Sequence, residues 1–232
     1  MAGAGWGSIM TERLEPSSWL VAVTGACALF AVMVDRVWRW ARNVITIVHE
    51  GGHAIAALLT GRRLAGIRLH SDTSGLTLSA GKPSGPGMVA TAAAGYLAPS
   101  VVGLAGVGLL AVKQVTVMLW TCTAVLLVML VMVRNAYGAL LLVVMGAVVV
   151  AVSLVAPADV QAAFGYTMTW FLLLGGVRSI GELWRNRRLN PGSSSDADQL
   201  ARLTHLPAVV WVALLGLATL GALAAGTWLL VL

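Results

Sequence analysis

Charge is what this sequence has least of. Asp, Glu, Lys and Arg together make up 10% of its 232 residues, against about 25% in ordinary soluble domains. So few charges cannot cover a water-exposed surface, which excludes a soluble globular protein and any sizeable soluble domain. Cysteine is equally sparse. The two that occur, Cys27 and Cys122, sit in separate apolar runs, which argues against a disulfide framework or a thiolate metal site and for small buried apolar residues. Aromatic residues are 6% of the chain and do not interleave with any basic tract, so the net charge of +6 does not mark a nucleic-acid surface. In a lipid setting that excess instead fits cytoplasmic loops rich in Lys and Arg. The N-terminus has neither a strong basic region nor a clear cleavage site, so the first apolar run reads as a retained span.

What the chain does contain is long aliphatic runs, with 59% hydrophobic residues. About 20 apolar residues suffice to cross a bilayer as a helix. Runs of that kind cover 18–34, 44–60, 88–112, 115–133, 139–156 and 206–232, with a shorter one at 164–177. The expected fold is an all-α polytopic membrane protein with about six to seven transmembrane helices. Residues 1–17 read as a disordered or interfacial tail, and 18–232 as one domain. Between the first two runs, D-R-V-W-R-W-A-R-N at 35–43 combines Trp and Arg in the manner of the headgroup layer. Residues 64–80 are too polar to span and alternate around Ile67/Leu69 and Leu76/Leu78, with S-D-T-S-G between. This pattern predicts a small β-hairpin, and a strand edge there offers pairing to an extended peptide. Residues 178–205 read as a polar loop. With the N-terminus cytoplasmic and every run crossing, eleven basic residues fall on the cytoplasmic side and four on the other, as the positive-inside rule favours.

The stretch 44–60, V-I-T-I-V-H-E-G-G-H-A-I-A-A-L-L-T, carries the chemistry. Residues four apart lie on one face of a helix, so His49 and His53 can offer two imidazole nitrogens to one metal. Glu50 sits beside the first of them, where a carboxylate can take a proton from water activated by that metal. Zinc is the expected metal, since it favours nitrogen ligands and its catalytic sites use three protein ligands. Ionisable groups in an apolar span are expensive and tend to mark function. A third ligand is needed. His70 and Asp72 in the hairpin turn, Asp159, His205, and Asp196 and Asp198 in S-D-A-D are the available groups. Asp196 is favoured, with Asp198 as the alternative ligand. The S-S-S-D-A-D run also reads as a helix N-terminus, where an aspartate can serve as a cap.

Four motifs together resemble those of site-2 protease-type intramembrane zinc metallopeptidases, in the compact bacterial branch described as M-fifty-B-like. They are H-E-G-G-H-A at 49–54, A-G-Y-L-A-P at 94–99, R-N-A-Y-G at 134–138 and S-D-A-D-Q-L-A-R-L-T-H-L-P at 195–207. The resemblance runs from Val48 to Trp211. It implies a distant aspartate completing the zinc site, which supports Asp196. It also implies hydrolysis of peptide bonds in transmembrane protein substrates within the bilayer of a bacterial cell membrane. Zinc would be held by His49, His53 and Asp196, with Glu50 as general base. Asn135 is a further candidate, as a side-chain donor supporting the oxyanion or the substrate; simply ending a helix is its other reading. Two other functions compete. One is a metal-binding membrane transporter, which paired half-sequences would favour, and none is seen. The other is a non-catalytic membrane protein with a vestigial site, against which the intact Glu50 argues.

Overall fold

The computed structural model describes residues 18–190 and 195–231. The tail read over 1–17 lies outside the described residues, as do 191–194 within the polar stretch. Among the described residues, eight helices and one hairpin follow in chain order: α1 Ser18–Met33, α2 Asp35–Leu59, β1 Arg63–Leu69, β2 Gly75–Ala80, α3 Pro86–Ala111, α4 Val115–Met132, α5 Ala136–Val155, α6 Ala158–Leu189, α7 Asp196–Thr204 and α8 Ala208–Val231. Five of the helices, α3, α4, α5, α6 and α8, are long and apolar enough to cross a membrane. Helices α1 and α2 meet at a bend of 102° and together make at most a sixth crossing. The protein is thus an all-α, multi-pass integral membrane protein with one small hairpin.

Two polar stretches differ from their sequence reading, for one shared reason. Residues 35–43, expected as a break at the headgroups, form the first turns of α2, and residues 178–189, expected as loop, prolong α6. Their polar groups satisfy one another across the two helices. Glu182 accepts from the Trp38 indole at 2.6 Å and pairs with Arg42 at 3.5 Å. Arg178 pairs with Asp35 at 2.6 Å, lies over the Trp38 ring, and bonds the Val32 carbonyl at the end of α1. A cation at that point caps carbonyls that the helix itself leaves free. Composition sees only the charges; once paired, they no longer demand a loop.

The two cysteines also differ from expectation. Both are exposed on the outer faces of α1 and α4, among the aliphatic side chains that lipid covers. Inside the bundle, α3 and α6 approach closely where Gly103 meets Leu173, Gly106 meets Thr169 and Gly176 meets Ser100. Small residues are what permit such contact in lipid.

The hairpin is antiparallel, with Ile67 opposite Thr77 and Leu69 opposite Gly75. The outer edge of β1 is closed by the α4–α5 link. Val133 bridges to Ile67, and the Arg134 N–H donates to the Ile67 carbonyl at 2.8 Å. The Asn135 amide then extends the ladder with a side chain. Its Oδ1 accepts from the Leu69 N–H at 3.1 Å and its Nδ2 donates to the Leu69 carbonyl at 2.6 Å. Ile67 and Leu69 are buried against Met129, Val133 and Leu142. The outer edge of β2, by contrast, has no strand beside it among the described residues. Along β2, Gly75, Thr77 and Ser79 face inward while Leu76 and Leu78 stay 47% and 42% exposed.

Candidate metal centre

The helical period of α2 stacks His49 and His53, and the structure brings their Nε2 atoms to 3.0 Å. Helix α3 fixes both rings. The Thr91 carbonyl lies 2.7 Å from His53 Nδ1, so that Nδ1–H donates there and the Nε2 lone pair is left free, as a metal ligand requires. Tyr96 packs edge-on to His49, ring centroids 4.7 Å apart. Glycines let the helices come this close. A methyl group at Gly52 would overlap Ala94 and Ala98, and one at Gly95 would overlap both imidazoles.

The third member arrives from α7. Asp196 is its first residue, and its Oδ2 lies 3.2 Å from His49 Nε2 and 3.3 Å from His53 Nε2. His49, His53 and Asp196 thus form a cluster able to hold a metal ion. The fit to zinc follows from geometry. Donor atoms about 2.0–2.2 Å from a tetrahedral zinc lie roughly 3.3–3.6 Å from one another, close to the separations found here. Two nitrogens and one carboxylate oxygen are also a donor set that zinc accepts, with a fourth position left open.

Glu50 is buried, at 4% exposure. Its Oε2 accepts from the Thr77 hydroxyl of β2 at 2.6 Å, and its Oε1 packs against Gly75, where a Cβ would overlap it. A cavity of about 730 Å³ is lined by the three cluster residues, Glu50, Tyr96 and the residues of β2 from Gly75 to Ser79.

The remaining sequence candidates lie elsewhere. Asp198 closes a capping box on α7: it bonds the Ser195 N–H and hydroxyl, and Ser195 in turn accepts from the Asp198 N–H. It also pairs with Arg187. Partial burial pushes the Asp198 carboxyl up, but the bonds from Arg187 and Ser195 outweigh this and hold it below the usual carboxylate range. The favourable contribution is therefore present above the unfolded carboxylate pKa and is lost as pH falls through the lower folded value. Asp198→Ala should cost about 1 kcal/mol of stability and leave cleavage at saturating zinc within about threefold, measured by thermal unfolding and by initial rates. Asp72 is held low by the hydroxyl and N–H of Ser74 in the hairpin turn, which His70 shares. His205 ends α7 in the left-handed conformation, and Asp159 opens α6. Asn135 does not line the cavity; both ends of its amide are occupied by Leu69.

The sequence alone assigns no role to Thr77 or Thr91, and it offers Gly95 only as part of A-G-Y-L-A-P at 94–99. A threonine in an alternating strand or in a helix carries no signal of its own; only the packing of α3 and the hairpin on α2 exposes what these residues touch.

A metal-binding His/His/Asp cluster inside a bundle of membrane-crossing helices, with a buried glutamate beside it, defines a membrane-embedded metallopeptidase. The chain belongs to the Peptidase M50B-like family, whose model matches residues 22–226, a site-2-protease-like branch of the zinc metallopeptidases. No curated protein and no solved structure matches it. Family and cluster together make it a zinc-dependent intramembrane endopeptidase.

Proposed function

We propose that His49, His53 and Asp196 hold the zinc, that Glu50 is the general base, and that the substrate is a transmembrane protein segment drawn out along the free edge of β2. The observation that carries this reading is the sharing of one cavity by the cluster, the Glu50 carboxylate and that edge. Zinc bound at the cluster supplies Lewis-acid chemistry, polarising the scissile carbonyl and acidifying water to a pKa of about 7. Glu50 takes a proton from the attacking water and hands it to the leaving amine, so that one water ends as a carboxylic acid hydroxyl and an amine hydrogen. Strand β2 supplies backbone donors and acceptors to an unwound substrate. That matters because a helical segment ties up its own peptide groups.

The hairpin, the α4–α5 link and the α6–α8 connection meet at one end of the bundle, and they bring Arg62, Arg63, Lys82, Arg134, Arg187 and Arg188 to it. That end is cytoplasmic by the positive-inside rule. The bent α1–α2 pair supplies the sixth crossing, which sets Ser18 on the side opposite the hairpin, whereas seven separate crossings would have set it on the cytoplasmic side. The membrane is then that of a bacterial cell, a reading supported by the motifs' resemblance to the compact branch.

The test is reconstitution of the zinc-loaded protein in liposomes with single-span substrates, followed by mass analysis of the products. Cuts are expected inside the apolar segment. Full zinc occupancy with no cut, or cuts confined to the water-exposed flanks, overturns the reading.

A further inference from the structure

We propose that Thr77 is a positioning residue for the Glu50 carboxylate, and that the strand which receives the substrate is thereby also the strand which aims the base. The inference rests on the reading of Glu50 as general base. Thr77 lies on the inward face of β2, two residues from Gly75. Its hydroxyl is 2.6 Å from Glu50 Oε2 and 3.1 Å from the Glu50 carbonyl. The single hydroxyl proton goes to the nearer, charged acceptor, which makes the stronger bond. The other carboxylate oxygen lies against Gly75, where the absence of a Cβ leaves it room. The two oxygens are therefore not equivalent. Oε2 is held by Thr77, and Oε1 is left to accept and release the proton.

A carboxylate on two carbons of side chain has rotamer freedom that a proton transfer cannot tolerate, since a base must lie within hydrogen-bond reach of the proton it takes. Thr77 removes that freedom at Oε2. The hairpin does not need Thr77 for its own attachment. The Thr46 hydroxyl donates to the Thr73 carbonyl at 2.8 Å, Asn135 pairs both backbone groups of Leu69, and Ile67 and Leu69 are buried. A structural role for the hydroxyl would thus be redundant, whereas no other side-chain bond to the Glu50 carboxylate is present among the described residues.

Thr77→Val keeps the shape and removes the donor; Thr77→Ser keeps the donor. Each is compared with the wild type and Glu50→Gln in liposomes over a range of concentrations of a single-span substrate. Zinc content and hydrogen exchange of residues 63–80 are measured on the same samples. Thr77→Val is expected to lower kcat about 10- to 100-fold, the range that a hydrogen bond to a charged group supports. KM should stay within about threefold, zinc content and hairpin exchange should be unchanged, and Thr77→Ser should recover most of the rate. Wild-type turnover in Thr77→Val, a change confined to KM, a loss accompanied by faster hairpin exchange, or failure of Ser to restore the rate would each overturn the inference. Cleavage by Glu50→Gln equal to wild type would remove the reading beneath it and the inference with it; loss in Glu50→Gln with full turnover in Thr77→Val removes the inference alone.

Discussion

Glu50→Gln should slow peptide cleavage by roughly 10³-fold while leaving the zinc in place. The amide keeps the size of the carboxylate and still offers an oxygen to the Thr77 hydroxyl, so a side chain only 4% exposed is replaced with little disturbance. Glu50 is not one of the three clustered donors, and metal content should stay near one ion per chain. In the proposed role of Glu50, what disappears is the ability to carry a proton from water to the leaving amine. General acid–base catalysis contributes on the order of 10²–10⁴-fold, so the initial rate in liposomes should fall by roughly 10³-fold. A Gln variant cleaving within threefold of wild type would show that the proton goes elsewhere.

The second large effect is expected at Asp196. Removing its carboxylate leaves two imidazoles 3.0 Å apart with no anion to complete the set, and a structural or catalytic zinc is not held well by two protein ligands. Residues that merely support a ligand change metal affinity or activity about 10–100-fold. Loss of a ligand itself should exceed that, with at least about 100-fold weaker zinc binding in Asp196→Ala and cleavage below detection. Competition against a chelator of known affinity measures the first, and product formation the second. The neighbouring Asp198 provides the contrast, because it caps α7 and pairs with Arg187 rather than facing the imidazoles. If zinc affinity fell equally in both alanine variants, helix α7 rather than one carboxylate would be responsible.

Much of this site could be read along the chain because two of its parts are local. His49 and His53 lie one helical turn apart, and the alternation at 64–80 needs only neighbouring residues to announce a hairpin. Asp196 was reachable because few carboxylates stand anywhere in so apolar a chain. What could not be read depends on residues far apart in sequence meeting in space. Arg178 and Glu182 look like loop residues until Asp35, Trp38 and Arg42 are placed opposite them; then they belong inside a helix. Asn135 reads as a free amide beside a helix end, and nothing near it in sequence says that Leu69, 66 positions away, engages both the nitrogen and the oxygen of that amide. The 102° turn between α1 and α2 is likewise invisible to hydropathy, which measures how apolar a segment is and not where it points.

The close seat of Gly95 sets a boundary for anyone trying to toughen this enzyme. Exchanging glycine for alanine inside a helix ordinarily gains about 0.5–1 kcal/mol, and a screen ranking positions by helix propensity alone would choose Gly95 along with the rest. There the added methyl would be driven into both histidine rings. Gly108, Gly146 and Gly221 have open space where a Cβ would go, so thermal hardening belongs at those outward positions, with the glycine under the histidines kept as it is.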